Sequence, residues 1–282
     1  MQIAETIKRT KQIIDVARSD GKSIGFVPTM GALHSGHISL IEAAAEKCDF
    51  VVVSIFVNPT QFAPSEDLGQ YPRSRDEDLR VCKKHKTNLV FIPEAKQLYP
   101  AEQLAWVDVE NLSDKLCGKF RPGHFRGVAT VCAKLFNIIQ PDFVFFGQKD
   151  AQQAVIIRKM LADLAFPIET IVRPTVREAD GLAISSRNRY LSAKQRKAAP
   201  LIYESLRKCR QLIDSGHKEV SFLAEQMEKM LASSAHIRPE YIEIVKADDL
   251  GGIKTVRGKV IIAVAAHIGP ARLIDNIIVD AD

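Results

Sequence analysis

Two imidazoles three positions apart, His34 and His37, stand in the run P-T-M-G-A-L-H-S-G-H from Pro28 to His37, interleaved with Gly31 and Gly36. Glycines at such places let a backbone turn tightly and approach a ligand closely. Apolar Ile24 to Val27 precedes the run, and Pro28, lacking an N–H, is expected to stop that strand. A helix is predicted to begin near His37, with Ile38, Leu40, Ile41, Ala44 and Ala45 as its buried stripe, followed by a second buried strand toward Pro59. That is a βαβ unit whose loop ends on a helix N-terminus, where unpaired N–H groups and the dipole favour phosphate oxygens. A capping or packed ring is the plainer account of one histidine at a helix start; a pair beside two glycines favours a site. Zinc does not suit H-x-x-H here, because no third and fourth ligands stand at metal spacing. The loop also falls short of a phosphate-binding Walker loop, since His37 and Ile38 replace its lysine and hydroxyl.

Other segments carry groups suited to the same chemistry. Gln61, in a proline-rich stretch from Asn58 to Arg73, offers an amide that both donates and accepts. Gly147, Gln148, Lys149 and Asp150 follow a predicted strand and open a helix. Lys149 supplies a point charge for phosphate, and Asp150 either a sugar contact or a helix cap. Gln153 lies one turn on. Ser185, Ser186 and Arg187 join two hydroxyls to a guanidinium fork. Lys119, Arg121, His124 and Arg126, in the glycine-rich stretch Gly118 to Gly127, either draw anions or form an exposed loop, and the second reading is favoured.

The elements that position these groups alternate between strand and helix. A helix is expected over Ile3 to Arg18, another over Arg75 to Lys86, strands at Asn88 to Ile92 and Asp142 to Phe146, a helix over Val128 to Ile139, and a strand at Pro167 to Val172. Trp106 to Val109 reads as a short edge strand. The pattern predicts an α/β fold, a Rossmann-like doubly wound parallel sheet over residues 1–176. A smaller α+β domain follows over 177–282, with a capping box at Ser192 and Gln195, a helix over Ser221 to Ala232 and three extended runs. Composition fits a globular chain of 282 residues, 46% hydrophobic, with an adequate core. Five scattered cysteines without a C-x-x-C pair argue for a reducing compartment, and no apolar run spans a bilayer, so a cytoplasmic protein without membrane contact is expected. A net charge of +5, with its densest cluster at the helix end Lys83 to Lys86, does not call for nucleic acid.

The first run resembles the signature of the pantothenate synthetase (pantoate:beta-alanine ligase) family, a variant of the H-I-G-H loop shared by adenylate-forming and nucleotidyl-transferring enzymes. V-N-P-T-Q-F, Y-P-R, R-P-G-H-F-R-G-V, F-F-G-Q-K-D-A-Q-Q and E-A-D-G-L-A-I-S-S-R-N-R-Y-L follow in the family's order over nearly the whole chain. The resemblance implies ATP contacts from Met30, Gly31, Ala32, Leu33, His34, Ser35, Gly36 and His37, from Gly147 to Asp150, and from Val176, Ile184, Ser185, Ser186 and Arg187. It implies that Gln61 and Gln153 hold pantoate, that Gln61 also touches beta-alanine, and that His37 is the proton donor, with His34 and Lys149 stabilising developing charge. Ile184 stands where the family usually has methionine, a swap that bears on backbone and apolar contact only. Mg2+ on the phosphates with unspecified protein ligands, a homodimer and a closing second domain are implied as well. A nucleotidyltransferase that makes a stable nucleotide product and a non-catalytic adenine-nucleotide sensor are the alternatives.

Overall fold

The computed structural model describes residues 1–64 and 66–281. The chain divides into two compact units, one of Met1–Asp114, Gly118–Gly147 and Ile156–Pro174, the other of Lys115–Cys117, Gln148–Val155 and Thr175–Asp282. A single cut near residue 176 therefore misses two short insertions into the second unit. They are drawn there by contacts within it, such as Lys115 Nζ donating to Asp249 O (2.9 Å).

In the first unit, β1 (Gln2–Ala4), α1 (Ile7–Ser19), β2 (Ile24–Thr29), α2 (Ser35–Lys47), β3 (Phe50–Ile55), α3 (Arg75–Lys84) and β4 (Leu89–Phe91) are followed by the short helix α4 (Ala95–Leu98). After α5 (Cys117–Phe120), which starts in the second unit, come α6 (His124–Ile139), β5 (Phe143–Gly147), α7 (Ala151–Asp163), whose first residues belong to the second unit, and β6 (Glu169–Arg173). The six strands form one parallel sheet in the order β1-β4-β3-β2-β5-β6. Strand order reverses between β2 and β5. In open α/β sheets the crevice beyond the carboxyl ends of two such strands is where ligands bind. Ile41, Ala44, Val27, Val51, Val53, Val90 and Phe145 pack into one core that fixes α2 on the sheet.

Several local expectations change. The N-terminal helix begins only at Ile7, because Gln2 to Ala4 pair with Leu89 to Phe91 and extend the sheet. Pro28 lies inside β2. Alternate residues of a parallel strand address opposite neighbours, and Thr29 O accepts the Phe56 N–H, so Pro28 turns toward β5. Pairing on that side is confined to Gly25 and Phe26, and the missing N–H costs no bond. Helix α2 starts at Ser35, which places Gly36 in its first turn. Trp106 to Val109 forms no strand; instead Val107 N–H donates to Thr130 Oγ1 and the Trp106 ring stacks with Arg126.

The second unit holds α8 (Ala193–Ala198), α9 (Leu201–Asp214), α10 (Val220–Ala232) and an antiparallel sheet of β7 (Ile237–Lys246), β8 (Lys259–Ile268) and β9 (Ala271–Asp280) in that order. The Ser192–Gln195 capping box opens α8, and Pro200 separates α8 from α9. Ile202, Leu206, Cys209, Leu223, Met227, Ile262 and Val264 form its core.

Candidate active site

The loop between β2 and α2 is held from below by a residue that pattern reading passes over. Asp78, on α3 and 1% exposed, accepts the N–H groups of Ala32 (3.0 Å) and Leu33 (2.7 Å), with Ser74 Oγ at 3.4 Å. Gly31 and Ala32 are both left-handed, at φ +82° and +51°. A Cβ on Gly31 would lie 3.0 Å from Asp78 Oδ2, so glycine is required by backbone and space together. The amides of Ala32 and Leu33 thus face the carboxylate, and a nucleotide contact by these two would use other atoms.

His34 is the N-cap of α2 and His37 its third residue, and the two interlock in a capping box. His34 Nδ1 accepts the Gly36 N–H (3.2 Å), and His37 Nδ1 accepts the His34 N–H (3.3 Å). The ring centroids are 4.1 Å apart. A backbone N–H can only donate, so both Nδ1 atoms are bare and each neutral ring carries its proton on Nε2. The expected pairing of the two imidazoles on one side of the helix entrance is present, and it takes up two N–H groups that the sequence left for an anion.

Gln61 ends a 3-10 turn, Pro59–Gln61, and its amide is gripped: Nε2 lies 2.9 Å from Met30 Sδ, and Oε1 accepts from Asn58 Nδ2 (3.1 Å). Asn58, itself buried, also reaches Gly127 O (3.2 Å) and accepts from Tyr99 Oη (2.9 Å). A Cβ on Gly127 would sit 2.4 Å from Thr60 O, so only glycine lets α6 come this close to the turn. Of the four basic groups, Lys119 and Arg126 are exposed as expected, and Arg121 and His124 are built in. Arg121 makes a two-pronged ion pair with Glu66, both contacts 2.6 Å, and its Nη1 donates to His124 Nε2 (3.0 Å). His124 Nδ1 then donates to Gln61 O (2.7 Å). Arg121 and His124 are thus a latch on the Gln61 turn instead of an exposed loop, and α6 already starts at His124.

In the second unit, Gln148 to Asp150 form a 3-10 turn in which Lys149 Nζ is 3.7 Å from Asp150 Oδ1. Lys149, Ser185, Asn188 and Asp275 line one small cavity, which Ser186 and Arg187 do not line. Val176 and Ile184 are joined by a backbone bond, Ile184 N–H to Val176 O (3.0 Å), beside the bridge between Arg177 and Ala183. Ser185 Oγ accepts the Arg187 N–H (3.3 Å), and Ser186 and Arg187 open the 3-10 turn Ser186–Tyr190. Asn188 Oδ1 is buried without a donor among the described residues. Gln153 is half-buried on α7, whereas its neighbour Gln152 is buried and spent on Cys117 N–H and Lys115 O.

Residues 2–278 match the family model described as pantoate-beta-alanine ligase. The chain belongs to the pantoate-beta-alanine ligase family. The pantothenate synthetase of Pelotomaculum thermopropionicum is 48% identical over 278 residues, covering 99% of each chain. Among solved structures, the pantothenate synthetase of Thermus thermophilus superposes with a TM-score of 0.93 at 40% identity, over 98% of this chain and 99% of that one. The pantoate-beta-alanine ligase of Francisella tularensis, complexed with beta-gamma ATP and beta-alanine, reaches 0.81 at 35% identity, over 98% and 97%. The fold of this ligase family is thus the one built here, a parallel six-stranded sheet with a smaller antiparallel domain. Asp78 and Glu66, which brace the His34 loop and the Gln61 turn, lie outside the motifs quoted above and show no periodicity or glycine signal, whereas Asn58 and Arg121 stand in V-N-P-T-Q-F and R-P-G-H-F-R-G-V.

Proposed function

We propose that this chain condenses pantoate with beta-alanine at the expense of ATP, through a pantoyl adenylate, releasing AMP and pyrophosphate. The observation that carries the reading is the interlocked His34–His37 pair, two Nε2–H donors on a helix N-terminus beside the carboxyl end of β2. Gly147 ends β5, the strand paired with β2, and a Cβ there would meet nothing of the protein within 4 Å, leaving room for a ligand. Lys149 follows two residues along the chain.

A pantoate carboxylate is ionised near neutral pH and needs no base to attack the α-phosphorus of ATP. As its oxygen bonds to phosphorus, the bond to the β-phosphate oxygen breaks and charge gathers on pyrophosphate. His37 and His34 donate hydrogen bonds through Nε2, the neutral His37 ring serving as a hydrogen-bond donor in place of the expected proton donor, and Lys149 with Ser185, Ser186 and Arg187 holds the departing charge. The amine of beta-alanine then displaces AMP at the acyl carbon. Gln61 and Gln153 hold pantoate, and the grip of Asn58 and Met30 on Gln61 favours a pre-set amide. In the second unit, Asn188 Oδ1 lacks a donor among the described residues, and a ribose hydroxyl would supply one. Met30 to His37, Gly147 to Asp150, Val176 and Ile184 to Arg187 form the ATP contacts in this reading.

Among the described residues no three His, Cys, Asp or Glu side chains gather into a metal cage. Mg2+, which keeps waters and phosphate oxygens as ligands, would come with the triphosphate, and Asp150, half exposed beside Lys149, would be the carboxylate to hold its water shell. When bound, the ion neutralises phosphate charge. We extend the reading to a cytoplasmic homodimer. Five buried free thiols suit a reducing compartment, and no helix among the described residues is long and apolar enough to cross a membrane. Leu104 and Trp106 expose apolar surface suited to a second copy.

The test is AMP formation by the purified chain with ATP, pantoate and beta-alanine, alongside pyrophosphate exchange with ATP and pantoate alone. AMP should require both acids and exchange should require pantoate. AMP release lacking that double dependence, or a stable nucleotide product, would sink the reading.

A further inference from the structure

We propose that Asn276, on β9, is a positioning residue for Lys149, and that with Asp275 it sets the separation of the two segments flanking the Lys149–Ser185 cavity. The proposal rests on the reading of that cavity as part of the ATP site. Asn276 is 3% exposed, and its Nδ2 donates to Gln148 O (2.9 Å) and to Lys149 O (3.0 Å). Both amide hydrogens are therefore committed to two consecutive carbonyls of the turn that carries Lys149. Gln148 Nε2 approaches Asn276 Oδ1 at 3.4 Å, which closes the clasp. An asparagine among the apolar residues of a β-strand is costly unless its polar atoms are paired, and here the pairing is spent on one turn.

Adjacent residues of a strand face opposite sides, so the neighbouring side chain is available to hold something else. Asp275, also buried, accepts from Arg177 Nη1 (2.5 Å) and Nη2 (2.9 Å). Arg177 lies 3.7 Å from the Tyr203 ring centroid and bonds Gly181 O (3.1 Å), which pins the hairpin that runs from Val176 through Ile184 into Ser185. Two successive side chains on the edge strand β9 thus anchor the Lys149 turn and the Ser185 segment to one rigid element. Neither residue lies in a motif that the sequence singled out.

A double-mutant cycle decides the matter, with pantoate-dependent pyrophosphate exchange as the readout. Lys149→Ala is expected to lower exchange by about 10²–10³. Asn276→Ala is expected to lower it about 10–100-fold by misplacing the ammonium, with less than a twofold change in KM for pantoate. If Asn276 acts through Lys149, adding Asn276→Ala to Lys149→Ala costs at most about threefold more. Losses that multiply in the double variant, or an Asn276→Ala protein within twofold of the parent, would overturn the proposal. Should Asn276→Ala fail to fold, Asn276→Asp, which keeps the size and removes the amide donors, takes its place in the cycle. A parent protein without pantoate-dependent exchange would refute the functional reading instead. The same four proteins, titrated calorimetrically with a non-hydrolysable ATP analogue, would then decide the inference by the same criterion of non-additivity.

Discussion

Replacing Asp78 with Asn should loosen the loop between β2 and α2 without changing its shape or size. The carboxylate is almost completely buried and takes two backbone N–H groups at 3.0 and 2.7 Å. A hydrogen bond to a charged acceptor contributes roughly 1.5–3 kcal/mol, and a buried donor left without a partner costs about 1–3 kcal/mol. Asparagine keeps one acceptor but turns its NH2 toward the other N–H, so about one such bond is lost and the expected destabilisation is ~1–3 kcal/mol. For a chain of this size that corresponds to a fall in Tm of about 2–8 °C. The left-handed Ala32, a conformation that costs roughly 1–2 kcal/mol, then loses half of what holds it, and His34, two residues on, moves with it. Because a shift of about 1 Å in a catalytic group can cost ~10² in rate, pantoate-dependent pyrophosphate exchange should fall by about 10–100-fold, mostly in kcat. Calorimetric unfolding and exchange kinetics on the same preparations check both arms. Parental Tm together with parental kcat would show that Asp78 does not hold the loop, and a lowered Tm with unchanged kcat would show that the loop does not set the imidazoles.

His34→Asn keeps a good N-cap for α2 while removing the imidazole. Its Tm should stay within about 3 °C of the parent while adenylation drops by roughly 10²; equal losses in both would assign His34 to capping alone. The Arg121–Glu66 latch should show a pH signature. Burial pushes the Glu66 carboxyl up, but the hydrogen bonds and charge of Arg121 outweigh burial and hold the group below its ordinary value. A carboxylate lowered in the folded state stabilises above its unfolded value, about 4.3, and that stabilisation is lost as pH falls through the folded value. The Tm gap between parent and Glu66→Gln should therefore be full at neutral pH and close below about pH 4. A gap that persists undiminished at about pH 3 would mean the ion pair is not its source. Leu104→Asp should shift a dimer toward monomer in sedimentation, and an unchanged mass would remove that surface from the interface.

Legible in the letters alone were the features with a short period or a short span. Alternating apolar runs and helical stripes announced the parallel sheet, because strand and helix periodicities are local, and Ser192 with Gln195 announced its own cap for the same reason. Adjacent chemistry was equally legible: His34 and His37 are one helical turn apart, so their meeting needed no tertiary contact. Folding in three dimensions decided what joins distant positions. Gln2 to Ala4 became a strand because Leu89 to Phe91 offered an unpaired edge, and Pro28 stayed in β2 because β5 stops pairing before it. Arg121 and His124 read as a loose basic stretch until Glu66 and the Gln61 carbonyl, more than fifty residues away, absorbed their donors. Asp78 and Asn276 carry no local signal at all. A buried polar side chain is defined by the backbone groups it satisfies, and those groups are brought to it only when the chain has folded.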